Sequence, residues 1–270
     1  MKTQGPDFAA EFAETGLRMS IQAYDPDMVE APGVEALAAA GLGNLWRSIG
    51  RIWPLWGALT VVNALSAAAA FAPDKAGAVA ALQTAIGELP WFVASGLAAG
   101  VTTGLAIRIV LGREKPWRPD GPLLAYAAAV TGLGVAGSLV AAVVQAPHGA
   151  GADAQVSFMS TAGATLVAAL ALLWVALRLT IWPVGRLVGY DEMSPGRSWR
   201  LMKGAVLRSM LAAALLSAPV FILNMLVAML TQAAGPVTAR VSAAPLASLM
   251  ALLAASVAAE IYRARVVLDS

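Results

Sequence analysis

The chain of 270 residues contains no cysteine and only one histidine, His148. Without cysteine it has no disulfide, no thiolate metal ligand, no iron–sulfur cluster and no palmitoylation site. A single histidine cannot provide bis-histidine haem ligation or a histidine-rich metal site. We therefore predict no metal site and no cofactor. We interpret His148, which lies among Gly, Ala and Pro residues, as a solvated loop residue.

Charged residues are also scarce, since they make up 13% of the chain, whereas hydrophobic residues make up 59%. A soluble domain usually carries about 25% charged residues. A soluble protein of this length would therefore have too few charges to cover its surface. The composition excludes an ordinary cytosolic protein and a disordered chain, and it indicates an integral membrane protein.

Six apolar segments are long enough to cross a hydrocarbon core of about 30 Å, which requires about 20 helical residues. They are residues 53–72, 91–111, 122–145, 158–181, 206–231 and 243–262. Pro54, Pro90 and Pro122 stand at the predicted openings of three of them, where the missing proline N–H costs nothing. A shorter apolar segment, 76–87, is expected either to lie along the interface or to lengthen the second helix. The predicted fold is an all-α polytopic membrane protein with six transmembrane helices.

The basic residues predict the orientation of these helices. With the N-terminus in the cytoplasm, only Lys75 and Arg240 fall on the opposite side, which leaves 16 of the 18 Lys and Arg residues inside. The positive-inside rule therefore favours cytoplasmic N- and C-termini in a bacterial inner membrane. Residues 1–46 contain no apolar run typical of a cleaved signal peptide, so we expect the first span to remain in the mature protein.

A Trp-Arg pair occurs three times, each time before a predicted odd-numbered span, at 46–47, 117–118 and 199–200. A later arginine ends each of the resulting hairpins, at Arg108, Arg178 and Arg265. One interpretation is an internal duplication that produced three related helical hairpins. The other is convergence, because Trp favours the headgroup layer and Arg favours the cytoplasmic side.

The run 178–183, RLTIWP, and the run 197–204, RSWRLMKG, resemble a pattern in a bacterial membrane family. That family includes the membrane domain attached to some glycerophosphoryl diester phosphodiesterases and its stand-alone relatives of unknown function. In this family a span ends in Arg and Pro, and a helix containing Ser-Trp leads into the next span. The resemblance covers about residues 40–265 in outline and 178–208 in motif. The hydrolase activity belongs to a separate soluble barrel, so the resemblance implies a multispanning membrane module.

Gly96, Gly100 and Gly104 repeat at intervals of four in the second predicted span. Such a stripe allows the backbone of another helix to approach closely. We expect a partner helix within the chain, since five other spans are predicted. A second copy of the chain is the alternative, and it would make the protein a homo-oligomer.

Polar residues within the predicted spans are few. Asn63 and Asn224 are predicted to form interhelical hydrogen bonds, because a buried amide must find a partner, with contact to a substrate as the alternative. The centres of the spans contain no Asp, Glu, Lys or His. Ion-coupled transporters usually need such a group, so this pattern argues against one.

Glu260 lies one turn inside the last predicted helix, at a depth comparable to that of Arg108 and Arg178. One hypothesis is that Glu260 pairs with one of these arginines and locks neighbouring hairpins together. The alternative is a local pair with Arg263, with the two arginines extending to lipid phosphates.

A short basic helix is predicted to begin at the Ser-Pro pair 194–195, which is a favourable cap and first residue. It places Arg197, Arg200 and Lys203 beside Trp199 at the membrane surface. Basic residues in this position attract anionic lipid headgroups. The stripe therefore predicts an anionic-lipid contact, with an ordinary positive flank as the alternative.

The acidic residues are concentrated near the N-terminus, with seven in residues 1–46 against two basic residues there. We predict that this segment is cytoplasmic and that residues 47–270 form the transmembrane domain. The segment is predicted to dock other membrane proteins through Phe8, Phe12 and Met19. A solvated tail is the alternative.

The sequence contains no Ser/His/Asp set, no Walker A motif, no HExxH and no carboxylate pair within a span. These absences predict that the protein is not an enzyme, and its basic residues belong to membrane flanks rather than to a nucleic-acid surface. We therefore expect a non-catalytic inner-membrane protein that contacts lipids and is structural or accessory to membrane biogenesis or to a membrane complex. A lipid or small-molecule permease is the alternative.

Overall fold

The computed structural model describes residues 33–69, 78–144 and 173–266, together with Val167, Leu170 and Ala171. All regular secondary structure in these ranges is helical, which confirms the predicted all-α class. The helices are α1 (Val34–Arg47), α2 (Ile49–Ala69), α3 (Ala78–Val110), α4 (Gly121–Val144), α5 (Ile181–Leu187), α6 (Pro195–Leu201), α7 (Val206–Thr231) and α8 (Pro236–Arg265). A 3-10 turn at Gln232–Ala234 precedes α8, and residues 173–179 are also helical.

Four of the described helices are long and apolar enough to cross a membrane. They are Ile49–Ala69, Ile86–Val110, Val206–Thr231 and Val237–Arg265. They correspond to the first, second, fifth and sixth predicted spans. The third predicted span forms α4, and most of the fourth, 158–181, lies outside the described residues. The short segment 76–87 lengthens the second helix, because α3 begins at Ala78.

The prediction that Pro54 and Pro90 open their helices is wrong. Pro54 and Pro90 lie inside α2 and α3, which begin earlier than predicted, at Ile49 and Ala78. A membrane interior offers no water to unpaired backbone groups, so the chain continues as a helix through proline instead of ending there. Pro122 does stand at the opening of its helix, as the second residue of α4.

Helix α3 packs against α4 along its three predicted glycines. Gly96, Gly100 and Gly104 face, in order, Thr131, Ala127 and Leu123. As the residue number rises along α3 it falls along α4, so the two helices are antiparallel. A Cβ atom added at Gly100 would lie 2.5 Å from the Ala127 Cα, so this approach requires glycine. The glycine stripe therefore contacts a helix of the same chain.

The buried core lies at one end of the bundle. Among its fully buried side chains are Ile107 in α3, Ile181 and Leu187 in α5, Met193 in the connection that follows, and Tyr262 in α8. We call this region the basic end. It comprises the C-terminal ends of α1, α3 and α8, the connections 111–120 and 188–194, and helices α5 and α6. These elements also carry most of the exposed arginines and lysines of the described chain.

Helix α1 lies across the basic end rather than apart from it. Its buried residues Leu37, Ala38, Gly41 and Asn44 form one face of the helix. A Cβ atom added at Gly41 would lie 3.3 Å from a methyl carbon of Val257 in α8. The last part of the acidic segment 1–46 is therefore a helix packed on the bundle. Residues 1–32, with the predicted docking residues Phe8, Phe12 and Met19, lie outside the described residues.

Candidate functional site

A side chain from α6 is inserted into the helix that leads into α5. The hydroxyl of Ser198 donates to the carbonyl oxygen of Arg178 at 2.9 Å, and the backbone N–H of Trp182 donates to the same hydroxyl at 3.2 Å. In an uninterrupted helix, the Trp182 N–H would donate directly to the Arg178 carbonyl. The inserted hydroxyl breaks the helix between these residues and supplies both missing partners. Ser198 thereby attaches α6 to the end of the preceding helix.

Arg178 lies between two tryptophan rings at this break. Its guanidinium carbon is 5.4 Å from the centre of the Trp174 ring and 5.1 Å from that of the Trp199 ring, both within the range of a cation–π contact. Its Nη1 also donates to the Trp199 carbonyl oxygen at 2.9 Å. We call Trp174, Arg178, Ser198 and Trp199 the tryptophan–arginine clasp. The clasp joins the two runs that carry the family resemblance.

The predicted basic stripe of α6 is divided in the structure. Ser194 caps the helix by accepting the Arg197 N–H at 3.2 Å. The Arg197 guanidinium lies 5.3 Å from the centre of the Tyr190 ring and 3.9 Å from the Glu192 carboxylate. Arg197 therefore turns toward the connection 188–194. The other two predicted lipid contacts, Arg200 and Lys203, are exposed and follow Trp199 by one and four residues.

Two glycines shape the segment that supports the clasp. A Cβ atom added at Gly185 would lie 2.9 Å from side-chain atoms of Met193 and 3.4 Å from the ring of Tyr262. Helix α5 can therefore pack closely on Met193 of the connection 188–194 because residue 185 has no side chain. Gly189 follows α5 with a φ of +87°, a conformation that other residues rarely adopt. Together they fold the chain back so that α6 reaches the clasp.

Arg108 joins three segments of the basic end. Its side chain is almost completely buried, and it donates to the carbonyl oxygens of Leu187 at 3.1 Å and Arg118 at 2.8 Å. Its Nη2 lies 2.5 Å from a carboxylate oxygen of Asp120. The same carboxylate accepts the Leu123 N–H at 3.0 Å and so caps α4. Arg108 thereby holds the end of α3 against α5 and the start of α4.

The environment of Asp120 favours its charged form. Partial burial alone would raise the pKa of this carboxyl, but the guanidinium of Arg108 and the N–H of Leu123 more than offset that effect. The pKa of Asp120 is therefore held below its usual value. A charged carboxylate opposite Arg108 is consistent with the short contact between them.

The predicted lock between Glu260 and Arg108 or Arg178 is wrong. Among the described residues, Glu260 pairs with Arg263 at 2.8 Å and accepts a hydrogen bond from the Asn44 amide of α1. Arg263 is three residues away on the same helix and reaches Glu260 without any chain movement. Arg108 and Arg178 instead point to partners in other segments.

The Glu260 pair belongs to a chain of contacts between α1, α8 and α3. Arg47 donates to the Asn44 side-chain carbonyl at 2.6 Å, and Arg263 donates to the backbone carbonyl of Val110 at the end of α3. Glu260 therefore does join helices, but it does so through Asn44 and Arg263. Asn44 carries no sequence motif, and its role is recognisable only from its place on the buried face of α1.

The two asparagines of the spans differ in their surroundings. The Asn63 amide donates to the hydroxyl of Ser248 at 3.0 Å, and Ser248 in turn donates to the Ala244 carbonyl at 2.8 Å. Asn63 therefore joins α2 to α8. The side-chain oxygen of Asn224 in α7 is buried without a hydrogen-bond partner among the described residues.

We compared the chain with known protein families, curated proteins and solved structures. No protein-family model, no curated protein and no solved structure matches the chain. The resemblance to the membrane domain of the phosphodiesterases therefore stays a prediction. Among the described residues, no group of three or more His, Cys, Asp or Glu side chains could hold a metal ion.

Proposed function

We propose that this protein is a non-catalytic integral membrane protein that is structural or accessory to membrane biogenesis or to a membrane complex. The observation that supports this role is the use of the arginines at the basic end. Arg108, Arg178 and Arg263 each donate to a backbone carbonyl of another segment. These charges therefore hold the fold together, and they are not arranged around a common reaction centre.

A fixed end with exposed basic residues suits a protein that contacts other components. Buried ionic groups are stable when their hydrogen-bond donors are satisfied, and Arg108 has three acceptors. The basic residues that remain exposed, such as Arg200 and Lys203, are available to lipids or to partner proteins. The acidic segment 1–32 supplies the opposite charge for a protein partner.

The experiment that tests this role is affinity purification of the full chain in a mild detergent, with co-purifying proteins and lipids identified. We expect at least one membrane protein in a stoichiometric amount, and we expect its loss when residues 1–32 are deleted. A matched control exchanges the acids of that segment for amides and keeps its length. Recovery of no partner with the full chain would contradict the accessory role.

In the proposed orientation the basic end faces the cytoplasm and the membrane is the bacterial inner membrane. The absence of cysteine allows a direct test with single cysteines and an impermeant maleimide. Gly196→Cys introduces a thiol at the basic end, and Ala233→Cys introduces one in the exposed turn between α7 and α8. We expect residue 233 to be labelled in intact spheroplasts. We expect residue 196 to be labelled only after the spheroplasts are lysed. The reverse pattern would contradict the orientation.

A permease is a second candidate, and Asn224 favours it. The side-chain oxygen of Asn224 is buried without a partner among the described residues, which is unfavourable, so its retention in α7 is explained if a substrate supplies the missing donor. The test is solute or lipid flux in liposomes that contain the wild-type protein or the Asn224→Leu variant. Flux that depends on Asn224 and survives the Asn63→Leu exchange would favour transport. Flux at the background level in all three proteins would contradict transport and favour the accessory role.

A further inference from the structure

The tryptophan–arginine clasp and the neighbouring Trp182 contain donors with no acceptor among the described residues. These donors are the Nε of Arg178 and the Nε1 of Trp182, and both atoms are buried. The guanidinium keeps one contact to the Trp199 carbonyl and carries a full positive charge. Arg200 and Lys203, which follow Trp199 by one and four residues in the chain, add two exposed positive charges. The partly exposed guanidinium of Arg178, together with these two exposed charges, is suited to an anion with several oxygens.

The surroundings of the clasp indicate what carries that anion. Trp174 and Trp199 are both 42% exposed, and tryptophan favours the headgroup layer of a membrane. The helix that contains Trp174 continues away from the basic end with exposed apolar side chains, among them Leu170 and Leu173. The charged group and an apolar surface are thus adjacent. A phosphate with attached acyl chains fits both, whereas free phosphate would use only the charged part.

We propose that the clasp binds the phosphate of an anionic phospholipid. Arg178 donates to the phosphate oxygens from its position between the two tryptophans. Arg200 and Lys203 supply charge at the rim, and the apolar face around Leu173 contacts an acyl chain. Arg197, the third basic residue of the predicted stripe, is directed to Tyr190 and Glu192 and is not part of the site. This inference rests on the proposed accessory role and names one of its lipid partners.

The test measures lipid binding to the full chain in a neutral detergent by native mass spectrometry. Dioleoyl phosphatidylglycerol and dioleoyl phosphatidylcholine are titrated separately, and the affinity of the first bound lipid is determined for each. We expect tighter binding of phosphatidylglycerol. Equal affinity for the two lipids would overturn the proposal.

The double variant Arg200→Gln/Lys203→Gln removes two exposed charges and leaves the contacts of the clasp in place. Its matched control, Arg51→Gln/Lys115→Gln, removes one exposed arginine and one exposed lysine from other segments of the chain. We expect phosphatidylglycerol to bind about fivefold more weakly for each of the charges of Arg200 and Lys203 removed, with little change in the control. Equal weakening in both variants indicates a general positive flank and would overturn a localised site, as would no weakening in either.

Arg178→Lys keeps the charge but removes the planar group that stacks between the tryptophans. We expect this variant to bind phosphatidylglycerol more weakly, with an unchanged number of bound phosphatidylcholine molecules. Phosphatidylglycerol binding as tight as that of the wild-type protein would exclude Arg178 from the site.

Inorganic phosphate serves as the competitor for the bound lipid. Displacement of the lipid by millimolar phosphate would show a site for the free ion and contradict the phospholipid proposal. These lipid measurements are independent of whether a protein partner co-purifies, so either proposal can fail alone.

Discussion

The side chains of helix α7 and those of the basic end have different surroundings. In α7 most large apolar side chains are exposed, as at Leu211, Leu215 and Met229, so they require an apolar surrounding outside the chain. At the basic end, by contrast, apolar side chains are buried among themselves and arginines bond to backbone carbonyls. The bilayer therefore provides the environment of α7, whereas the basic end is organised by contacts within the protein.

This difference identifies where substitutions matter. A helix that is surrounded by lipid tolerates changes among apolar residues, because lipid chains fill the space that a smaller side chain leaves. A packed end with interlocking hydrogen bonds has no such substitute. The comparison predicts the largest loss of stability at Arg108 of the basic end, intermediate losses at Ser198 and at the contact between α3 and α4, and small losses on α7.

The largest effect is expected for Arg108→Ala. The substitution removes the donors of three hydrogen bonds and leaves the Asp120 carboxylate without its ion-pair partner. Breaking a buried pair by removing one partner typically lowers the free energy of unfolding by about 3–5 kcal/mol. Thermal unfolding in detergent measures the loss. Arg118→Ala, at an exposed arginine of the same connection, is the control, and an equal loss there would refute the special role of Arg108.

The next effect is expected for Gly100→Ala. The added methyl group would lie 2.5 Å from the Ala127 Cα and 2.8 Å from its carbonyl oxygen, so α3 and α4 must separate. Overpacking of this kind costs about 1–3 kcal/mol of unfolding free energy. Gly132→Ala on α4 is the matched control, because nothing lies within 4 Å of its added Cβ. A Gly100→Ala protein as stable as the control would show that the two helices pack less closely than described.

Ser198→Ala is expected to have a similar or slightly smaller effect. It leaves the Arg178 carbonyl and the Trp182 N–H without partners at a buried position, and a loss of about 1–3 kcal/mol in unfolding free energy is typical of such a change. Hydrogen exchange at Trp182 should become faster at the same time. Ser194→Ala removes only an exposed helix cap and should cost about 1 kcal/mol. Unchanged exchange at Trp182 would contradict the inserted hydroxyl.

The smallest effect is expected for Leu215→Ala on α7, where the side chain is 54% exposed. The change should stay within about 0.5 kcal/mol, as at other exposed sites. Leu59→Ala is the same chemical change at a fully buried side chain of α2 and should cost about 2 kcal/mol or more. Unfolding in one detergent compares the two variants directly. A large loss at Leu215 would mean that this face of α7 packs against protein instead of lipid.

Much of the fold was predictable because the relevant signals are local. A long apolar run identifies a membrane helix from its own composition, and four of the predicted spans correspond to described helices of sufficient length. The glycine spacing in α3 likewise indicates a close helix contact, although it does not specify α4 as the partner. The first residues of α2 and α3 differ from the prediction. A proline was expected to open each helix, whereas backbone groups in a membrane must be paired and the helix extends to both sides of the proline.

The candidate site was predictable only in part. The runs 178–183 and 197–204 drew attention to the correct segments, but the role of Ser198 depends on a helix break that no sequence pattern specifies. Asp120 carries a weak signal, since it stands before an apolar helix as a cap would. Its pairing with Arg108 depends on how the connection 111–120 folds back. The sequence leaves two partners open for Glu260, Arg263 or an arginine of another span, because depth along a helix does not specify direction around it.

The sequence by itself determined that this is a helical membrane protein with most of its basic residues flanking the spans, because hydrophobicity, length and charge are properties of each segment alone. The tertiary structure decided which groups these charges meet. A guanidinium can reach any carbonyl or carboxylate within several ångströms, so its partner depends on the packing of distant segments. That packing placed Arg108 on Asp120, Arg263 on Glu260 and Arg178 between Trp174 and Trp199.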